Sequence, residues 1–303
     1  MRNPQLNLHG ELAQLLTTEG LSRALLTRIL DTTELFLTPT AGEVKKTPLL
    51  QGKKVLSLVD DGSVDQASTA LGVFERATLS LSAEWLGIQQ LDRFTIPALA
   101  DLKADLKFDM IVLRTEVSGM SYWMAQQVGM HTHMMNAGDG CHADPTSALL
   151  DMHTIRRVKK DFANLTVVLV GDVLHSARAR SCIHALTTLC VAEVRAVAPL
   201  TLLPEGLAQL GVRAYTDMAE GLRDADVIIM LDQAHMGVMP ACVPGYVPSA
   251  QEYFECYGLT KETLACAKPE CLVLGTGVQG LEREAAGVAV RMAVMSLVVG
   301  ATA

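Results

Sequence analysis

Short apolar runs of strand length alternate with helix-like patterns along the chain, and this alternation restricts the fold more than any other feature of the sequence. Strands are predicted at residues 54–59, 78–82, 108–113, 130–136, 165–171, 194–197, 212–215, 227–231 and 272–274. Helices are predicted at residues 21–37, 66–76, 98–107, 121–128, 145–156, 177–190, 204–210, 218–225 and 282–299. Such alternation is typical of βα units around parallel sheets. The pattern therefore predicts an α/β protein with two doubly wound domains joined by one helix.

The stretch NAGDGCHADPTSALLDMHTIRR, at residues 136–157, marks the junction between the two halves. A short β-type run enters a Gly-Asp-Gly turn at Gly138, Asp139 and Gly140. Pro145 then starts a helix, because its fixed φ suits the first turn and its missing N–H is not needed there. A Gly-rich turn between a strand and a helix N-terminus is a common place for a bound anion. The segment thus predicts a hinge and, taken alone, a site for a small anion.

The composition argues against several classes of protein. The net charge of −8 offers no basic face for nucleic acid. No apolar run reaches the ~18 residues needed for a membrane span, and the first residues lack the apolar segment of a signal peptide. We therefore expect a cytoplasmic protein with neither nucleic-acid nor membrane partners. The 7 cysteines form no CxxC pair, which predicts reduced core thiols rather than a zinc or disulfide framework. No cofactor is predicted.

Several longer segments carry a family resemblance. They are NAGDG at residues 136–140, LTVVLVGDVLHSARARS at 165–181, YGLTKETLACAKPE at 257–270 and GVAVRMAVMS at 287–296. Together they resemble the aspartate/ornithine carbamoyltransferase family, and most of all the catalytic chain of bacterial aspartate carbamoyltransferase. The resemblance implies a hinge helix between the domains and a C-terminal helix that packs back on the first domain. It also implies a carbamoyl-phosphate-type domain at residues 1–149 plus 284–303 and an aspartate-type domain at residues 150–283.

The ligand-binding motifs of that family are degenerate in the first domain. Where the family has a Ser-Thr-Arg-Thr-Arg phosphate loop, this chain has Ser63, Val64, Asp65 and Gln66. An alternative for Asp65 is a first-turn acid that suits the positive end of a helix. Arg114, at the end of the third predicted strand, matches the family arginine that binds the carbonyl and the phosphate. It is the retained family ligand, although a lone arginine there is equally typical of a surface ion pair.

The hinge and the second domain depart from the family in the same way. Asp144 stands where the family has the histidine that polarises the carbamoyl group, and Ser147 replaces the neighbouring glutamine. His142, two residues before Asp144, is an alternative to the family histidine, but the Pro145 turn is expected to point it elsewhere. In the second domain Ala177 replaces an aspartate-binding arginine. The family's second aspartate-binding pair, Arg-x-Gln, has become Asp232 and Ala234, with Gln233 between them.

The charges at these positions indicate a lost activity. Losing one charge-assisted hydrogen bond costs ~1.5–3 kcal/mol. A like charge at about 4 Å adds ~4 kcal/mol at an effective dielectric of about 20. Asp65, Asp144 and Asp232 bring carboxylates to a cleft that, in the family, holds two anionic substrates. The summed penalty is on the order of 10 kcal/mol, which is enough to remove both binding and catalysis. No catalytic residue and no metal ligand is therefore assigned.

Two functions from different classes follow from these motifs. The first is a non-catalytic paralogue that acts as an assembly or regulatory partner in pyrimidine biosynthesis. The resemblance implies a homotrimer or larger assembly, with an active aspartate carbamoyltransferase or a dihydroorotase-like chain as partner. The second is a transferase of altered specificity that uses the same interdomain cleft on a less anionic amine, with the three new carboxylates directed at a cationic or metal-bound substrate.

Two further enzyme classes have less support in the sequence. A metal hydrolase that uses His142 and Asp144 lacks a second His/Asp pair at ligand spacing. A nicotinamide dehydrogenase lacks its glycine fingerprint, because residues 170–175 do not form GxGxxG.

Overall fold

The computed structural model describes residues 3–40, 42–59, 64–90, 108–128, 132–231, 250–275 and 281–300, with the backbone alone at 64–69, 88–90, 250 and 281. The chain forms two compact units, Met1–His153 with Gly280–Ala303, and Thr154–Gln279. The passage from one unit to the other lies inside a single helix, Pro145–Lys159. Each unit is built on its own parallel sheet.

The first unit contains a four-stranded sheet. Its elements up to the hinge are α1 (Arg23–Phe36), β1 (Lys54–Val59), α2 (Val64–Ser80), β2 (Glu84–Gln90), β3 (Met110–Thr115), α3 (Met120–Gln127), β4 (His133–Asp139) and α4 (Pro145–Lys159). The strand order is β2-β1-β3-β4, with every pair parallel. Strands β3 and β4 are almost wholly buried, as expected where helices cover both faces of a parallel sheet.

The second unit repeats the design with five strands. Its elements are β5 (Thr166–Val170), α5 (Ala177–Thr188), β6 (Glu193–Val197), the 3₁₀ turns Leu200–Leu202 and Leu207–Leu210, β7 (Val212–Tyr215), α6 (Met218–Leu222), β8 (Val227–Met230), α7 (Ala250–Tyr257), α8 (Lys261–Leu264) and β9 (Leu272–Leu274). The order is β7-β6-β5-β8-β9, again all parallel. The predicted fold class, two doubly wound parallel-sheet domains, is confirmed.

The C-terminal helix α9 (Leu281–Gly300) belongs to the first unit, where it packs on α1 and α2. Its middle is buried almost continuously, from Ala285 to Met295. A helix that is apolar on nearly all sides is expected only where it is covered on nearly all sides. The predicted return of the last helix to the first domain is therefore confirmed.

Two predicted elements differ from the structure, and a third lies outside the described residues. The strand expected at residues 78–82 is wrong, because α2 continues to Ser80, and the Thr78 hydroxyl donates to the Phe74 carbonyl one turn earlier. The chain turns at Ser82, which has a positive φ of 61°, and the strand begins only at Glu84. The helix expected at 204–210 is reduced to one 3₁₀ turn. The helix predicted at 98–107 lies outside the described residues.

The segment before the hinge is also shifted. Strand β4 continues through Gly138 and Asp139, so the turn occupies residues 140–142 rather than 138–140. Helices α7 and α8 were not predicted. Their sequences are short, and α8 depends on a capping box in which Thr260 and Thr263 exchange side-chain hydrogen bonds with the backbone.

The cysteine prediction is corrected in part. The six described cysteines are free thiols, but Cys182 alone among them is buried. Cys141, Cys190 and Cys256 are exposed, and the other two are half-buried. Cys242 lies outside the described residues. Within the described part of the chain, the helices are too short or too polar for any of them to cross a membrane.

Candidate functional site

The carboxyl-terminal edge of the first sheet brings the retained arginine and the hinge together. Arg114 is the next-to-last residue of β3, and Asp139 ends the neighbouring strand β4. Asp144 lies directly before α4, which starts at Pro145. In a parallel sheet this edge is where side chains from successive strands meet and where ligands usually bind.

Asp139 organises the loop at this edge. Its side chain is fully buried and accepts hydrogen bonds from the backbone N–H of Ala143 at 2.9 Å and of Gly119 at 3.2 Å. His142 places Nδ1 3.0 Å from the same carboxylate, and Asn136 donates its amide to it at 3.1 Å. Four donors around one buried carboxylate satisfy the need of a charged group removed from water. Asp139 is thus committed to structure.

Asn136 joins this loop to the N-terminal segment. Its amide nitrogen donates to the carbonyl of Leu16 at 2.8 Å, and its oxygen accepts from the N–H of Gly138 at 2.8 Å. The side chain is fully buried. The NAGDG motif therefore serves here as a scaffold, because Asn136 and Asp139 both use their side chains to hold backbone.

Arg114 lies across the backbone of Gly138. Its Nη1 donates to the carbonyl of Ala137 at 3.0 Å. Gly138 has a φ of +122°, and a Cβ added there would collide with the Arg114 guanidinium. The backbone angle favours glycine at this position, and the guanidinium, at the flexible end of its side chain, would have to move away to admit a Cβ. The half-buried side chain is held against the strand end rather than extended into solvent.

Asp144 and Ser147 form the start of helix α4. The carboxylate of Asp144 accepts the backbone N–H of Ser147 at 3.1 Å, and the Thr146 hydroxyl lies 3.5 Å from the same oxygen. This is N-cap geometry, with Pro145 at the first helical position. A carboxylate here also suits the positive end of the helix. Among the residues predicted for the degenerate site, Asp144 has the clearest local structural role.

A buried arginine on the C-terminal helix was not predicted from the sequence. Arg291 of α9 is only 7% exposed, and its Nη1 donates to the Gly287 carbonyl at 3.0 Å. Burial lowers the pKa of Arg291 to about 10, the negative charge of Asp144 opposes that change, and the positive charge of Arg114 adds to it. The signal was a single charged residue inside the apolar segment GVAVRMAVMS.

In the second unit Ala177 is the first residue of α5, after the strand β5. The preceding loop is held by Asp172, whose carboxylate lies 2.9 Å from Nδ1 of His175 and accepts the His175 backbone N–H at 3.0 Å. Ser176 caps α5 by accepting the Ala179 N–H at 3.1 Å. Only a methyl group stands at position 177, where the family resemblance implies an arginine.

The remaining predicted site residues cannot be placed with the others. Ser63, Asp232 and Ala234 lie outside the described residues, as do the side chains of Asp65 and Gln66, whose backbone belongs to the first turn of α2. Across the side chains that are described, no group of three or more His, Cys, Asp or Glu could hold a metal ion.

Solved structures provide the comparison that decides the fold. No family model matches the sequence. An aspartate transcarbamoylase from Trypanosoma cruzi, in complex with carbamoyl phosphate, matches 97% of this chain and 99% of its own, with a TM-score of 0.73 and 20% identity. A second complex of that enzyme, with carbamoyl aspartate and phosphate, covers 93% of this chain and 95% of its own, at a TM-score of 0.73 and 21% identity.

The ornithine carbamoyltransferase from Pyrococcus furiosus matches 94% of this chain and 99% of its own, with a TM-score of 0.71 and 21% identity. The chain has the carbamoyltransferase fold. The resemblance drawn from the sequence motifs is thereby confirmed for the architecture of both domains. Identity near one fifth establishes the carbamoyltransferase fold alone, so activity has to be argued from the residues at the strand ends.

Proposed function

We propose that this chain is a carbamoyltransferase-fold protein that binds neither carbamoyl phosphate nor aspartate, and that it acts as a non-catalytic assembly or regulatory partner in pyrimidine biosynthesis. The observation that carries the proposal is the position of Asp144. A carboxylate that caps α4 stands where a carbamoyltransferase needs a neutral or positive donor toward its substrate. A carboxylate at this position repels an anionic substrate, and its oxygens accept hydrogen bonds rather than donate them.

The second unit supports the same conclusion independently. Ala177 begins α5 at the strand edge and contributes a methyl group, so it supplies neither charge nor a hydrogen bond to a dicarboxylate. Asp172 and Ser176 at the same loop are engaged in holding His175 and in capping the helix. A substrate with two carboxylates needs several charge-assisted donors, each contributing ~1.5–3 kcal/mol. Asp65, Asp232 and Ala234 belong to the same proposal through the sequence resemblance.

A direct assay tests the loss of activity. The purified chain is incubated with carbamoyl phosphate and aspartate, and carbamoyl aspartate is measured beside an active aspartate transcarbamoylase prepared in the same way. We expect no product above the uncatalysed rate. The Arg114→Ala variant is the control for contamination, because it removes the retained family cation. Turnover that is substantial in the wild type and lost in Arg114→Ala would contradict the proposal, since it would arise in this cleft.

The partner role requires a separate experiment. We propose a cytoplasmic homotrimer or larger assembly, which includes an active aspartate carbamoyltransferase or a dihydroorotase-like chain. Affinity purification from the native cell, followed by mass spectrometry, should recover such a chain, and the activity of the recovered enzyme should change when this protein is removed. Recovery of an isolated homotrimer, with no effect on any pyrimidine-pathway enzyme, would argue against the partner role.

A transferase of altered specificity is the second candidate, and Arg114 is the observation in its favour. Its guanidinium is still held at the strand end against Gly138 and Ala137, where it suits one oxyanion group. The acceptor would then be an amine less anionic than aspartate. A thermal-shift screen of polyamines, amino acids and divalent ions tests this function, and the absence of any shift at millimolar concentration would remove it.

A further inference from the structure

One side of helix α1 is exposed although it carries a large apolar side chain. The helix buries one face along its length and packs on α9. On the opposite side, four exposed residues are spaced four, three and four apart, namely Ala24, Arg28, Asp31 and Leu35. Leu35 is 67% exposed. Residues at this spacing share one side of a helix and match the contact positions of a coiled coil. We call these four residues the α1 stripe.

The α1 stripe is complementary to itself when two copies of α1 lie antiparallel. A two-fold axis that passes between residues 29 and 30 places Arg28 of each copy opposite Asp31 of the other. The same axis places Leu35 opposite Ala24, so a large side chain meets a small one. At ~1.5 Å of rise per residue the stripe covers ~16 Å of helix. Opposite charges therefore meet at its centre, and an apolar pair closes each end.

The charges also decide the direction of the two helices. In a parallel pair Arg28 would face Arg28 and Asp31 would face Asp31, and like charges in contact oppose association. The antiparallel pair brings opposite charges together and removes the apolar surface of Leu35 from water. Within a single helix Arg28 and Asp31 are three residues apart and can also pair with each other. That arrangement leaves Leu35 exposed, so it does not account for the whole stripe.

We propose that the α1 stripe is a two-fold contact surface, which binds a second copy of this chain with the two α1 helices antiparallel. This contact goes beyond the proposed function, which assigns no surface to any partner. A two-fold contact on α1 doubles whatever assembly the chain forms through its other surfaces. One helix from each copy makes a small interface, and small interfaces are weak. The doubling should therefore depend on protein concentration.

The first test measures the mass of the assembly. Sedimentation equilibrium is carried out at chain concentrations from about 1 μM to about 1 mM, which is the range of weak complexes. We expect the wild type to reach twice the mass of Leu35→Asp, because that variant would have to bury a carboxylate against Ala24. Leu200→Asp is the matched control. Leu200 is 78% exposed and lies in the second unit, so this variant should have the wild-type mass.

The second test exchanges charges and distinguishes a contact between copies from a pair within one helix. Arg28→Asp and Asp31→Arg each place like charges across the two-fold axis, so neither variant alone should double its mass. When the two variants are mixed, two acids face two arginines, and the mixture should reach the doubled mass. The double variant Arg28→Asp/Asp31→Arg restores opposite charges within one chain and should associate by itself. Circular dichroism and the unfolding temperature establish that each variant is folded.

Several results would overturn the proposal. Equal mass of the wild type and Leu35→Asp over the whole concentration range would show that the stripe binds no second copy. Doubling by the two single charge variants, or its absence from their mixture, would exclude the antiparallel pairing of Arg28 with Asp31. Loss of the doubling in Leu200→Asp would remove its assignment to α1. None of these results depends on carbamoyl transfer. Catalytic turnover would instead reject the proposed function, so the failures of the two proposals are distinguishable.

Discussion

At the scale of single residues, the loop beside β3 and β4 depends on a glycine at its tightest point. Gly140 has a φ of +54°, and a Cβ added there would lie 2.6 Å from the backbone oxygen of Glu116 and 2.6 Å from Oγ of Ser118. Its N–H donates to the Thr115 carbonyl at 2.8 Å, so the backbone cannot withdraw without losing this bond. The approach of the two loops is therefore set by the absence of a side chain.

We predict that Gly140→Ala lowers the free energy of unfolding by about 2–4 kcal/mol, which combines the left-handed backbone cost with overpacking. Gly211→Ala is the control, because Gly211 has a similar positive φ of +75° and no atom within 4 Å of an added Cβ. That variant should lose only ~1–2 kcal/mol. Urea unfolding curves give the free energy of unfolding of both variants. Equal losses in the two would show that the close approach at Gly140 does not affect stability.

The buried histidine His133 gives the stability a pH dependence. It is 6% exposed, its Nδ1 lies 2.9 Å from the Ala13 carbonyl oxygen, and burial lowers its pKa below 6.5. The unfolded state therefore binds a proton at a higher pH than the folded state does. By linkage, stability is complete above about pH 6.5 and falls as the pH decreases toward the folded-state pKa.

We predict that His133→Asn, which keeps a donor to Ala13, flattens the decrease in unfolding free energy between about pH 7 and 5. His9→Asn makes the same substitution at an exposed position and should leave the wild-type slope unchanged. Denaturant titrations at a series of pH values provide the measurement. A His133→Asn slope equal to that of the wild type would mean that other groups cause the pH dependence.

Residue roles at the site were only partly predictable from the sequence. The positions of Arg114, Pro145 and Ala177 at strand ends and helix starts follow from local patterns, and the structure places them there. The capping bond of Asp144 is also local, since it spans three residues. Arg291 was missed because the ring it contacts, Phe74, is distant in sequence, and hydrophobic periodicity carries no information about a long-range contact.

At the scale of elements, a buried ion pair fastens α4 to α9. Asp151 is fully buried, and the guanidinium of Arg283 lies 2.8 Å from its carboxylate. On the adjacent residue of α9, Glu284 pairs with Arg76 of α2, where both side chains are about half exposed. The two pairs therefore offer a comparison on one helix between a buried carboxylate and an exposed one.

We predict that Arg283→Met destabilises the protein by about 3–5 kcal/mol, because it deprives the buried Asp151 of a cationic partner. Arg76→Met, which breaks the exposed pair, should cost less than ~1 kcal/mol. Adding Asp151→Asn to Arg283→Met should recover part of the loss, and this recovery identifies the cause as the buried charge. If the double variant is no more stable than Arg283→Met, lost packing rather than charge explains the effect.

Helices and strands were predictable where the spacing of hydrophobic residues fits only one of the two. The strands β7 and β9 have the predicted bounds. The three apolar residues of β9 follow a polar turn and have no competing interpretation, and β7 is bounded before by Gly211 and after by Thr216. The strand predicted at 78–82 was wrong because its alternation of polar and apolar residues also fits the last turn of a helix. There Ala77 and Leu81 are buried while Leu79 is exposed, and only the packing of α2 decides between the two.

At the scale of the whole molecule, the two units differ in how the chain builds them. The second is continuous, Thr154–Gln279, and has its own five-stranded sheet and core. The first is assembled from both ends of the chain, because α9 returns to pack on α1 and α2. Six of the valine and methionine side chains of α9 are completely buried, namely Val288, Val290, Met292, Val294, Met295 and Val298.

This difference predicts unequal behaviour of the isolated parts. Burying each of these α9 side chains contributes ~1.5–3 kcal/mol, so loss of the helix removes on the order of 10 kcal/mol. That is comparable with the entire stability of a domain. A fragment of residues 154–279 should therefore unfold cooperatively by itself, whereas a fragment of residues 1–153 should not.

Thermal unfolding followed by circular dichroism measures both fragments. Residues 1–153 joined to 280–303 by a flexible Gly/Ser linker of about 20 residues form the control, since the linker restores α9 without the second unit. Cooperative unfolding should return in this linked protein and should be absent when Met292 and Met295 in it are both replaced by aspartate. A fragment of residues 1–153 that unfolds cooperatively at the temperature of the linked protein would contradict the argument, because the first sheet would then be stable without the C-terminal helix.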